Sequence, residues 1–247
     1  MAESVVAVIP ARLGSTRFKR KVLYQFRGKP LLYYVWRDIA RARLIDRLVI
    51  ATDAPEIEKS ACAFGAEVVR TSPRHRTGSD RMAEVAAGMK GSIFINIQAD
   101  NLGLQAVLLD RVIRYMQRRS SVRVASLAAR ISSDSELFDP NCVKVVISKE
   151  GEAMWFSRYP IPYLQHATRR SRYTQVSYNR HIGVYFFRRD ALRSFARSSR
   201  TAAERAESLE QLRILENGVR IRMFMTDMKS VSVDSPQDVA KLDSIYR

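Results

Sequence analysis

Apolar and polar positions follow two periods along the chain. Residues 5–9 are an unbroken apolar run, Val5-Val6-Ala7-Val8-Ile9, closed by Pro10. Such a run predicts a strand buried on both faces, as in a parallel sheet. Pro10 ends it because it has no N–H for a ladder. Residues 31–40 repeat apolar side chains at helical spacing behind Pro30, which suits a first helical position. Residues 47–53 read as a second strand, 55–64 as a helix stopped by Gly65, and 67–70 as a third strand. A helix is predicted over 79–89, with Ser79 as N-cap and Met82, Val85, Ala86 and Met89 on one face. Then follow a buried strand over 92–100 ending on Asp100, a helix over 104–119 and a strand over 122–129. This alternation predicts an α/β fold with a doubly wound, mostly parallel sheet.

From residue 141 the character changes. Residues 143–147 and 152–157 flank the turn Lys149-Glu150-Gly151 and read as an antiparallel hairpin. Residues 179–187 alternate as a strand with His181, Gly183 and Tyr185 on one face. One helix is expected over 201–216, where Glu204, Glu207 and Glu210 recur every third residue; the first two read as a solvated stripe. A late strand spans 219–224, and a last helix starts near Asp234 or Ser235 as cap. Without repeats or linkers, residues 1–247 read as a single domain with an inserted antiparallel β-rich lobe at about 138–190.

Composition narrows the class. The 247 residues are 46% hydrophobic and 27% charged, which is globular. The net charge of +17 favours an anionic partner, whether nucleotide, sugar acid, nucleic acid or anionic membrane surface. The two cysteines, Cys62 and Cys142, make no disulfide framework and point to a reducing, cytoplasmic setting. The three histidines have no zinc spacing with them. The first apolar run is short and follows Glu3, unlike a secretory signal, and no apolar stretch is long enough to insert in a membrane.

The loop after the first strand carries the first chemistry. Ala11-Arg12-Leu13-Gly14-Ser15-Thr16-Arg17 leads into Lys19-Arg20-Lys21. A small-residue turn ringed by cations, at the carboxyl end of a central strand, suits a polyphosphate; an ordinary βα turn with solvated cations fits the same residues. Asp100 stands where a Mg²⁺–phosphate ligand would sit, and equally where a helix cap would.

With these segments in place, the sequence resembles the CMP-Kdo synthetases (3-deoxy-manno-octulosonate cytidylyltransferases) over roughly residues 4–245. The resemblance rests on Ile9-Pro10-Ala11-Arg12, Ser15-Thr16-Arg17, Gly28-Lys29-Pro30-Leu31 and Ala51-Thr52-Asp53. It continues through His75, Thr77-Gly78-Ser79-Asp80-Arg81, Asn96-Ile97-Gln98-Ala99-Asp100 and Phe138-Asp139-Pro140-Asn141-Cys142-Val143-Lys144-Val145-Val146. Phe156-Ser157-Arg158, Arg180-His181-Ile182-Gly183-Val184-Tyr185, Leu209-Glu210-Gln211-Leu212-Arg213 and Val233-Asp234-Ser235-Pro236 complete it. It implies a Rossmann-like nucleotidyltransferase that moves CMP from CTP to the anomeric hydroxyl of Kdo, an acidic eight-carbon sugar, releasing pyrophosphate with Mg²⁺, in lipopolysaccharide synthesis. A homodimer built through the β-rich lobe is implied as well.

By that resemblance Ala11, Arg12, Ser15, Arg17, Lys21, His75, Thr77, Gly78, Ser79 and Gln98 hold the nucleotide. Arg12, Lys21, Asp100 and Asp234 serve catalysis, and Asp100 and Asp234 bind the Mg²⁺. Arg158, His181, Tyr185, Glu210 and Gln211 resemble sugar-site residues. The chain departs from the family where Pro, Gly and Pro of the first loop become Lys19, Arg20 and Val22. Losing the Gly removes a residue that takes φ > 0 freely. A Glu beside the metal Asp becomes Asn101, and Arg74 and Arg76 replace an Asp and a Gln. Other readings are a relative using the 8-amino analogue of Kdo, a nucleotide binder without turnover, and a basic nucleic-acid-binding protein; the last lacks any nucleic-acid motif.

Overall fold

The computed structural model describes residues 3–14, 18–75, 77–166, 172–228, 233 and 236–246. In chain order come β1 (Val5–Pro10), a 3₁₀ turn at Lys21–Leu23, β2 (Gln25–Phe26), β3 (Lys29–Pro30) and α1 (Leu31–Ile39). Next are β4 (Arg47–Thr52), α2 (Pro55–Cys62), β5 (Glu67–Arg70), α3 (Gly78–Gly88), β6 (Ile93–Ile97) and α4 (Ala106–Arg118). The second half holds β7 (Val124–Arg130), α5 (Asp134–Phe138), β8 (Lys144–Ile147), β9 (Ala153–Ser157), α6 (Arg172–Gln175) and β10 (Asn179–Arg188). It ends with α7 (Arg189–Arg197), α8 (Ala202–Glu207), α9 (Glu210–Glu216), β11 (Ile221–Met225) and a 3₁₀ stretch at Pro236–Ser244.

The main sheet runs in the order β11-β7-β10-β6-β1-β4-β5. β1 pairs in parallel with β4 on one edge and β6 on the other. β10 lies antiparallel between β6 and β7. The mostly parallel, doubly wound sheet is as expected. The hairpin β8–β9 joins it through the bridge Arg180↔Lys144, and Glu152 beside β9 bridges Arg222 of β11. Alternation along β1 explains its unbroken apolar run: Val5, Ala7 and Ile9 enter a core with α1, α2 and α4, whereas Val6 and Val8 enter one with α3, α7 and α9. No helix among the described residues is long and apolar enough to cross a membrane.

Four local expectations are corrected. α3 starts at Gly78, not Ser79, and its cap is Thr77. Thr77 Oγ1 accepts from Asp80 N at 3.1 Å while Asp80 Oδ2 accepts from Thr77 N at 3.2 Å, a reciprocal capping box that outcompetes a lone serine. β6 stops at Ile97, because Asn101 N–H turns back to Gln98 O at 3.0 Å. The predicted helix over 201–216 is two helices, broken at Ser208 with φ 53°. The break follows from tertiary demand on Glu207: its carboxylate accepts from Ser157 Oγ (2.6 Å) and Arg158 N (2.8 Å), and its carbonyl accepts from Arg158 Nε (2.7 Å). Nor is there a solvated acidic stripe. Glu204 is 1% exposed and pairs with Arg213 Nε at 3.1 Å and Arg200 Nε at 3.4 Å. The expected caps of the last helix, Asp234 and Ser235, lie outside the described residues.

Arg20 occupies the left-handed region, φ 58°. The side chain ion-pairs with Glu56 on α2, an exposed contact of small value. An L-residue in this region carries roughly 1 kcal/mol of strain. Arg20→Gly is therefore expected to stabilise the protein by about 0.5–1 kcal/mol, read as a higher urea midpoint at unchanged slope. Glu204→Ala leaves the Arg213 guanidinium buried without its carboxylate, and the same urea titration should show a loss of about 3 kcal/mol.

Candidate active site

β1 marks the place where sheet connections reverse direction, with one neighbour strand on either side, and ligands of open α/β sheets bind beyond the carboxyl ends of strands there. Four segments meet at that end. Ala11 N donates to Ala51 O at 2.9 Å, extending the β1–β4 pairing past Pro10. Gly78 opens α3 against them. A Cβ built on it would stand 3.4 Å from the Pro10 ring and 3.5 Å from Gln98 Nε2, ordinary contact that would fill the space between the three. α3 is held by Arg81, which is buried, pairs with Asp53 at 2.9 Å and bonds Thr71. Lys21 Nζ donates to Asp100 Oδ2 at 2.7 Å, joining the first loop to the turn after β6. Asn101 Nδ2 donates to Gly183 O at 3.2 Å, joining that turn to β10.

The start of α9 closes the site from the other side. Glu210 accepts from the hydroxyls of Ser79 and Thr77, and burial raises its pKa against those bonds. Ser79 Oγ in turn accepts from Asn96 Nδ2 at 3.2 Å. Tyr185 is pushed well above its ordinary value by burial and by the charge of Glu210. His181 lies between Phe156, edge to face, and Tyr185, tilted, with ring centroids 5.0 and 5.2 Å away. Its Nε2 lies 2.8 Å from Ser126 Oγ, which is also 2.8 Å from Val184 O. A carbonyl can only accept, so the single hydroxyl proton of Ser126 goes to Val184 and Nε2–H of His181 donates to Ser126. This leaves Nδ1 as an acceptor. Burial depresses the His181 pKa to about 3, so the ring is neutral at pH 7.

The structure therefore gathers Ala11, Lys21, Thr77, Gly78, Ser79, Gln98 and Asp100 at the ends of β1 and β6, with His181, Tyr185, Glu210 and buried Gln211 alongside. Arg12 is exposed on the loop after β1. His75 is engaged by Glu84 of α3, whose carboxyl pKa falls chiefly through a bond from Ser72 N. Arg158 has its guanidinium taken by the carbonyls of Glu207 (2.7 Å), Pro140 (2.9 Å) and Ser208 (3.4 Å), and so fixes the α8–α9 turn. Ser15, Arg17, Arg76 and Asp234 lie outside the described residues. Among the described residues no three His, Cys, Asp or Glu gather at metal-binding distance.

Sequence reasoning missed Asn101, Glu207 and Lys144. Asn101 counted only as a lost charge, yet its amide donates where a carboxylate cannot. Lys144 is fully buried and donates to the carbonyls of Asp139 (2.9 Å) and Cys142 (2.6 Å), with its pKa lowered by burial. Only its place in the Asn141-Cys142-Val143-Lys144 run hinted at a role.

Residues 6–221 match a family model described as Cytidylyltransferase. The 3-deoxy-manno-octulosonate cytidylyltransferase of Geobacter metallireducens is 40% identical over 243 residues, covering 96% of each chain. That of Geobacter sulfurreducens is 40% identical over 244 residues, covering 97% of this chain and 98% of its own. A solved CMP:2-keto-3-deoxy-manno-octonic acid synthetase in complex with CTP superposes with a TM-score of 0.89 at 33% identity, covering 98% of both chains. The chain belongs to the 3-deoxy-manno-octulosonate cytidylyltransferase family. As a member of this family, it is a nucleotidyltransferase.

His181 supplies a test of this packing. Its neutral ring is favoured in the fold and its charged ring in the unfolded chain. The unfolded chain therefore binds the extra proton between pH 6.5 and about 3. Stability tied to His181 is complete above pH 6.5 and is lost as pH falls through that window, at up to about 1.4 kcal/mol per unit. Urea titrations at pH 7 and pH 5 should differ less for His181→Gln than for the wild type; equal differences would place the acid sensitivity elsewhere.

Proposed function

We propose that the protein transfers CMP from CTP to the anomeric hydroxyl of Kdo or a Kdo-like acid sugar, with release of pyrophosphate. The observation that carries this reading is the Lys21–Asp100 contact, because it sets a cation of the first loop against a carboxylate at the end of β6. The two stand beside the Gly78–Gln98 wall, in a chain whose family is shown over nearly its full length.

In this reading Lys21 and Arg12 neutralise the triphosphate as negative charge shifts to the leaving pyrophosphate. Gln98 and the bare backbone at Gly78 hold the cytosine. His181 Nδ1 accepts a hydroxyl of the sugar, and Glu210 and Tyr185 bound the same pocket. Arg158 serves the sugar through the turn it holds. Such chemistry depends on positioning and charge and needs no protein nucleophile.

Mg²⁺ fits the donor set. Asp100 has a partly exposed carboxylate facing the first loop, and one or two carboxylates plus phosphate oxygens suit this ion. Asp100 would hold it together with Asp234. When bound, the ion polarises the phosphate that is attacked.

The reading includes a homodimer. Met154 and Trp155 of β9 and Tyr159 and Tyr163 beyond it are large exposed apolar side chains, the kind of patch a second copy covers. The free Cys62 and Cys142 agree with the reducing cytoplasm as its location.

The test is pyrophosphate release from CTP and Mg²⁺, with Kdo and its 8-amino analogue in parallel. Release is expected only when an acid sugar is present, and Lys21→Ala should lower turnover by at least about a hundredfold without lowering the melting temperature. Absence of release with either sugar would sink the proposal.

A further inference from the structure

A second basic site lies behind the loop that carries Asp100. A cavity of about 940 Å³ opens between the end of α1 and the first turns of α4, and four guanidinium groups line it: Arg37, Arg41, Arg43 and Arg114. Two carboxylates, Asp38 and Asp110, also line it, and both are buried and already engaged. Asp110 accepts the backbone N–H groups of Arg43 (3.1 Å) and Leu44 (2.9 Å). Asp38 accepts Tyr246 Oη–H at 2.5 Å and pairs with Arg37 at 3.1 Å. Among the described residues no ion pair engages Arg41, Arg43 or Arg114, which are exposed.

The surrounding geometry favours an anion. The Arg37 guanidinium sits over the rings of Tyr246 (4.9 Å) and Tyr34 (5.1 Å) and pairs with Asp38, so it is in place before anything binds. The first turn of α4 faces the same cavity with no side-chain cap and no acid, and its Gln105 carbonyl accepts Leu108 N at 3.0 Å. Three guanidinium forks without carboxylates, together with one held over the tyrosine rings, suit phosphate oxygens bound bidentately. We propose that this cavity is a binding site for a small molecule carrying two or more phosphates, separate from the catalytic crevice.

Its wall is tied to that crevice. Gly103 N donates to Tyr246 Oη at 2.8 Å, and Tyr246 donates to Asp38, the partner of Arg37. A phosphate that draws Arg37 toward itself acts on this chain of bonds and so on the turn holding Asp100 and Asn101. The binding itself is independent of the reaction assigned above; its regulatory consequence rests on that assignment.

The experiment uses the full-length Lys21→Ala protein, in which phosphate binding at the crevice is weakened, titrated calorimetrically with inorganic pyrophosphate without divalent metal. One saturable site is expected, weakened at least tenfold by adding Arg41→Ser and Arg114→Ser. Sodium sulfate at equal ionic strength controls for screening. An ATP arm separates the sources: tighter ATP indicates a nucleoside polyphosphate, and equal affinity indicates that the phosphates alone are read. Pyrophosphate should also slow amide exchange at Gly103, and that protection should vanish in the triple variant. No saturable binding, or unchanged affinity and protection after both arginine substitutions, would overturn the proposal. In the otherwise wild-type protein, Arg41→Ser with Arg114→Ser should leave kcat and KM without effector within twofold.

Discussion

Burial of β1 on both faces and both edges is the constraint from which the rest follows. A strand with β4 on one side and β6 on the other cannot lose a ladder partner without exposing backbone groups that have no water to turn to. Its register is therefore rigid, and the chain leaves it at one defined point, Pro10. Everything that could bind a phosphate or a base is placed relative to that point: Ala11 through its bond to β4, Gly78 through contact with the Pro10 ring, and Lys21 through its reach to Asp100. A site of short loops acquires precision because the strand beneath it cannot move.

The opposite wall is built differently, from buried polar groups that bond to one another. Asn96 serves Ser79, Ser79 and Thr77 serve Glu210, and Ser126 orients His181. In a low-dielectric site each such bond is costly to break, so the network sets a single arrangement. One layer out lies the buried Glu204–Arg213 ion pair, held by charge at 3.1 Å. It fixes α8 against α9, while Glu207 and Arg158 hold the turn between them. The break at Ser208 is thus part of how Glu210 is aimed.

The first loop turns on an arginine at positive φ. Backbone bonds hold it: Leu23 N to Arg20 O at 2.9 Å and Tyr24 N to Lys21 O at 3.0 Å, with Phe18 and Val22 buried beneath. Those contacts outweigh the strain of an arginine at positive φ. The added Arg20 does not face the site but turns to α2, whereas Lys21 faces Asp100.

Periodicity alone was enough to place β1, β4, β6 and the helices between them. Their faces are determined by which side chains avoid water, and that is a property of each residue and its neighbours in sequence. The hairpin around Gly151 and the stop at Gly65 were legible from a second local property, since both glycines take the positive φ that glycine adopts freely. The residues around the crevice were named from the resemblance, and none of their partners could be read from spacing. That Thr77, not Ser79, caps α3, that Glu204 and Glu207 are structural, and that Asn101 donates to Gly183 depend on segments far apart in the chain. Only tertiary structure decided them, because a buried charge or amide takes the partner that folding brings to it.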